Sequence, residues 1–173
     1  KFMDALARCP NCDGEDSDAI GAYTQVKLAE VEKLLGKGNV MVDTWVSLPR
    51  YLWPQAWKDK NYEHPYCPLR VNLYGHKLAG LLWQKWSEDK IINKCGFEKV
   101  EGWECLYVHK KKQAFLSVYV DDLKMAGKKK NLGPMWEELR KHMALDPPVK
   151  MVENQYLGST QREMVPGPVN VEK

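Results

Sequence analysis

The stretch Phe115-Leu-Ser-Val-Tyr-Val-Asp-Asp-Leu-Lys-Met-Ala126 sets two adjacent carboxylates, Asp121 and Asp122, between two runs of β-forming residues. Residues 114–119 read as one strand and 123–126 as the next, so the acidic pair falls at the bend between them. Two carboxylates about 4 Å apart at an effective dielectric near 20 repel by about 4 kcal/mol. They need a proton, a cation or divergence towards solvent. A divalent cation meets that need, but Asp also favours ordinary turn backbone. The pair therefore takes its meaning from what accompanies it.

Working outward, residues 97–100 and 104–109 read as further short strands, and the lysine runs Lys110 to Lys112 and Lys128 to Lys130 as turns. A helix near 134–144 carries Met135, Trp136, Leu139 and Met143 on one side, and Pro147 and Pro148 end it. Residues 149–152 and 156–161 suit a last pair of strands. Upstream, Leu73, Leu78, Leu81, Leu82, Trp86, Ile91 and Ile92 recur at the period of a long helix bounded by Pro68 and Gly96. Residues 26–35 predict a shorter helix, 19–24 a short apolar strand and 40–48 an extended passage. The turn-rich run CPNCDGEDS makes 1–17 a loop, 18–163 one domain and 164–173 a flexible tail.

A chain of 173 residues has room for one ordinary domain. Its 44% hydrophobic and 28% charged residues exclude a disordered or collagen-like polymer. The formal net charge of +3 permits a nucleic-acid partner without demanding one. No run approaches the roughly 18 apolar residues of a membrane span, and no signal-peptide pattern opens the chain, so no membrane partner is expected. Five scattered cysteines suit reduced thiols and an intracellular, cytoplasmic setting. Cys9-Pro-Asn-Cys12 has the spacing of half a zinc site, but no second close pair of ligands follows.

A second acidic motif, Asp18-Ala-Ile-Gly-Ala22-Tyr23-Thr-Gln25, precedes the segment LYGHKLAGLLW (73–83) and then the tetrad Tyr119-Val-Asp-Asp122. In that order the three resemble the reverse transcriptases. Within them the palm region of the copia-type LTR retrotransposon enzymes is the most similar, through LYGHKLAGLLW, CGFEKVEGWECLYV (95–108) and YLGSTQRE (156–163). The resemblance covers approximately residues 17–163. One position departs from it: Leu78 stands where the family's LYGLKQ has Gln.

The resemblance implies an α+β polymerase palm, an antiparallel sheet with helices packed on one face around a ferredoxin-like core. It also implies RNA-directed DNA synthesis from deoxynucleotides on a primed RNA or DNA template. Asp18, Asp121 and Asp122 would be the catalytic residues and the ligands of two Mg2+ ions, with Mn2+ as an alternative; Asp18 and Asp121 would be the main bridging ligands. Ala19, Ala22, Tyr23 and Gly75 would meet the nucleotide, Tyr23 beneath its sugar. Integrase and RNase H of the same polyprotein would be partners, and a virus-like particle or the nucleus alternative locations. Leu78 and the few basic residues before Asp18 leave a rival reading, a degenerate palm that binds nucleic acid without catalysis. A ferredoxin-like binding domain with a chance acidic pair is a third.

Overall fold

In the computed structural model the described residues are 1–36, 44–152, 154–156 and 158–160. They divide into two units, Lys1–Ala22 with Ser87–Lys173, and Tyr23–Trp86. The first holds a six-stranded sheet built on the hairpin of β6 (Ala114–Tyr119) and β7 (Asp122–Lys128), paired from Ala114 opposite Gly127 to Tyr119 opposite Asp122. On one flank lie β5 (Leu106–His109) and β4 (Glu98–Lys99), on the other β1 (Cys12–Asp18) and β8 (Val149–Lys150). Every neighbouring pair is antiparallel. The protein is thus mixed α/β with an antiparallel sheet.

Residues 1–17 are not a loop, because they form α1 (Phe2–Ala7) and β1. The sequence of β1, CDGEDSD, has no apolar alternation to announce a strand. It is one nonetheless because it lies between two partners, β7 and β8, whose ladders satisfy its backbone. The strand expected over 19–24 is replaced by a single bridge, Ala19 to Leu145, and a 3-10 turn at Ala22–Gln25.

The two faces of the sheet follow from the alternation of side chains along each strand. On one face, Phe115, Ala126 and Leu106 pack with Met3, Leu6 and Ala7 of α1 and with Met151, and Phe2 meets Phe115 edge-on with centroids 5.1 Å apart. On the other, Ala114, Leu116, Val118, Leu123 and Met125 are buried. There α5 (Lys129–Arg140) packs on β1 and β7, burying Leu132, Met135, Trp136 and Leu139. Helices therefore cover both faces, where the sequence suggested one. The second cover was illegible because α1 lay in the supposed loop. Helix α5 also starts five residues earlier than expected and ends at Arg140, with Pro134 inside it. Lys129 continues directly from β7, its N–H donating to Asn11 O at 3.1 Å.

The unit Tyr23–Trp86 contains α2 (Val31–Leu35), a pair of short strands, β2 (Trp45–Ser47) and β3 (Tyr66–Pro68), and α3 (Gln55–Asp59) between them. Residues 40–43 of the expected extended passage lie outside the described residues. The long helix expected over 69–95 is shorter: α4 is Ala79–Asp89 and widens into one π-type turn at Lys90–Lys94. Residues 73–78 form turns before it. The last strands are β9 (Gln155–Tyr156) and β10 (Ser159–Thr160), a small hairpin of their own. The tail expected over 164–173 lies outside the described residues. Among the described residues, no helix is long and apolar enough to cross a membrane.

Candidate active site at the end of the central hairpin

The β6–β7 hairpin closes through a two-residue turn, Val120 and Asp121. Val120 has φ +53, and Asp121 is not among the positive-φ residues. That sign pattern is of the type II′ kind, which matches the twist of paired strands and usually takes Gly at the first position. A β-branched residue there is strained. The strain persists because the turn is held from the side: the Ala19 N–H donates to Asp121 O at 2.7 Å. β1 ends in register, with Asp18 directly opposite Asp122, and Asp122 in turn opposite Tyr119. Asp18, Asp122 and Tyr119 thus form a row on one face at the end of the sheet.

Asp18 and Asp121 are exposed and Asp122 is half-buried. Burial pushes the Asp122 carboxyl above its ordinary value, and the charges of Asp18 and Asp121 and a side-chain hydrogen bond with Asp18 push it in the same direction. Like charges this close favour a proton on Asp122 or a cation beside it. Such a pair of hard oxygen donors suits Mg2+ or a similar divalent ion. Among the described residues no three His, Cys, Asp or Glu side chains form a ready metal cluster. Asp122 feels the charges of both Asp18 and Asp121, so all three carboxylates belong to one cluster.

Ala19 and Ala22 belong to the same unit and are buried. Tyr23 and Gly75 belong to the other, where the Tyr23 ring lies against Tyr74 with centroids 4.4 Å apart. Gly75 sits on a turn with φ +88, and a Cβ there would meet nothing within 4 Å. The positive φ is by itself a reason for glycine at this position. The turn is organised by buried Asn72, whose side chain donates to Ala79 O at 2.9 Å and accepts from the Leu73 N–H at 3.0 Å. His76 also serves the turn, its Nδ1 accepting from the Leu78 N–H at 3.3 Å.

No family model and no solved structure matches the chain. Over 63 residues, 36% of its length, the chain is 35% identical to the Gag-Pol polyproteins of the transposons Ty1-DR4 and Ty1-NL1 of Saccharomyces cerevisiae. The truncated transposon Ty1-A Gag-Pol polyprotein of the same yeast matches to the same extent. The similarity to retrotransposon polyproteins is confined to those 63 residues. The chain spans only 4 to 5% of those polyproteins.

Two supports of the carboxylate row carried no signal of spacing or composition. Asp146 brackets Asp18 from the far side: its N–H donates to Asp18 O at 2.9 Å and its carbonyl accepts from Ser17 Oγ at 2.8 Å. Beneath the row, Asp16 (1% exposed) and Lys124 (6%) occupy the next paired positions of β1 and β7. Lys124 Nζ lies 3.1 Å from Asp4 of α1 and 3.9 Å from Asp16. Cys9 and Cys12, the half zinc motif, are both free thiols.

Proposed function

We propose that the chain is the palm portion of an RNA-directed DNA polymerase within a retrotransposon Pol polyprotein, adding deoxynucleotides to a primer 3′-hydroxyl on an RNA or DNA template. The observation that carries this reading is the meeting of Asp18 with the Asp121-Asp122 turn at one end of the sheet. Similarity to Gag-Pol polyproteins supports it independently. Asp18, Asp121 and Asp122 would hold Mg2+, which when bound supplies charge to neutralise the transferring phosphate and acidify the attacking hydroxyl.

The chain's own residues prepare that site. The Ala19 N–H fixes the Asp121 carbonyl and with it the turn. Asp146 fixes the end of β1, so the Asp18 carboxylate is presented from a backbone tied on both sides. Burial and the charges of Asp18 and Asp121 raise the Asp122 carboxyl, so it gives up its proton at higher pH than an isolated Asp and ion binding there weakens in acid. Tyr23 would lie beneath the nucleotide sugar and Gly75 beside the nucleotide, as the resemblance implies, and integrase and RNase H would be neighbours in the polyprotein.

The test is deoxynucleotide incorporation into a primer on an RNA template with Mg2+. Asp121→Asn is expected to lower the rate on the order of 10²-fold or more, as losing one group that stabilises developing charge does. Equal incorporation by parent and variant contradicts the assignment. A second reading, a palm that binds nucleic acid without catalysis, is favoured by Leu78 and by the turn, not helix, that carries residues 73–78. Primer-template binding with no incorporation by the parent protein would select it.

A further inference from the structure

The end of the β6–β7 hairpin opposite the carboxylates gathers two lysine runs that sequence alone leaves as separate turns. Lys110–Lys112 form a 3-10 turn after β5, and Lys128, Lys129 and Lys130 span the junction of β7 and α5. Backbone and side-chain hydrogen bonds clamp the two together. The Lys128 N–H donates to Gln113 O at 3.1 Å, and Asn131 Nδ2 donates to Lys112 O at 2.6 Å. Ala114 stands opposite Gly127 at the base. Beside the second run opens a cavity of about 510 Å³ lined by Asn11, Gln113, Lys128, Lys129 and Lys130.

Compensation of this charge is incomplete. Lys110 pairs with Glu98, Lys129 stands 3.9 Å from Asp13, and Lys128 reaches the Pro10 carbonyl. Asp13 is also shared with Lys150 at 3.2 Å. Lys111, Lys112 and Lys130 have no ion pair among the described residues. Six cations held within one sheet end repel one another and are relieved by a polyanion.

We propose that this lysine end is a docking surface for the phosphate backbone of a nucleic-acid duplex, separate from the carboxylate end. Among the described residues that line the cavity there is no large apolar side chain to enter a lipid layer, which favours nucleic acid over an anionic membrane. Six residue steps along β7 at about 3.4 Å each put the two ends roughly 20 Å apart. Docking here needs no catalysis at the other end, so it stands whether or not the chain polymerises.

The experiment measures binding of the full chain to a fluorescent 20-base-pair DNA duplex by anisotropy across a salt series. Three proteins are compared: the parent, Lys111→Glu/Lys112→Glu/Lys130→Glu, and a charge-matched control, Lys58→Glu/Lys60→Glu/Lys94→Glu. Thermal melting checks that each is folded. The parent is expected to lose affinity steeply with salt, and the lysine-end variant to show a log–log slope shallower by about 2 to 3, at about 0.9 for each phosphate no longer neutralised. The control is expected to keep the parent slope. Equal slopes for parent and lysine-end variant, an equal change in the control, or lysine-dependent binding to phosphatidylserine vesicles with none to duplex would each overturn the proposal.

Discussion

Asp122 is pressed from three directions, by burial, by Asp18 opposite and by Asp121 beside it. Asp18→Asn removes one charge, so the Asp122 carboxyl should titrate at lower pH than in the parent, as read by carbon-detected NMR; an unmoved midpoint would mean the two side chains do not meet. Asp16 answers a different question. Burial raises its carboxyl from 3.8 to about 6, Lys124 opposing, while Asp4 and Asp18 add to the rise and Asn154 opposes it. A raised folded value means that stability from this group is fully present below about pH 3.8 and is lost as pH rises through about 6. Asp16→Asn should therefore stabilise the protein more at pH 7 than at pH 4, by on the order of 2–3 kcal/mol. Urea midpoints at the two pH values measure that difference, and an equal effect at both would refute the burial of a costly charge.

Among the elements, β7 is the one on which everything else is registered, since it pairs along its length with both β6 and β1. Its last glycine permits this. A Cβ on Gly127 would sit 2.6 Å from Ala114 Cα and also against the Gln113 carbonyl oxygen, both backbone that cannot swing away. Gly127→Ala should cost about 2–3 kcal/mol by forcing the strands apart, measured by denaturant unfolding; an unchanged midpoint would show that the hairpin opens freely there. Strand β6 was legible because its buried residues alternate, as in Ala114, Leu116 and Val118, and β5 and β7 because they are short runs rich in apolar residues. Strand β1 was not, because its buried residues are Gly14, Asp16 and Ser17, which only a tertiary partner explains. The long helix misread over residues 69–78 failed for the converse reason. Its leucine spacing suits a helix, but Leu73 and Leu78 are exposed and Asn72 is the buried residue that holds the turn.

Across the sheet unit as a whole, charge is sorted to opposite ends of one hairpin, carboxylates at Asp18, Asp121 and Asp122 and lysines at residues 110–112 and 128–130. The formal net charge of +3 conceals this separation. The carboxylate site was legible as a set of motifs in order, since each supplies chemistry that the other lacks. Which carboxylates face each other was not, because that depends on the register between β1 and β7. The most direct measurement is single-turnover nucleotide incorporation on a primed RNA template by the parent, Asp18→Asn, Asp121→Asn and Asp122→Asn, each verified as folded. Incorporation by the parent, with each substitution slowing it on the order of 10²-fold or more, is the expected result. Parent-level incorporation by any of the three variants would contradict a shared carboxylate site.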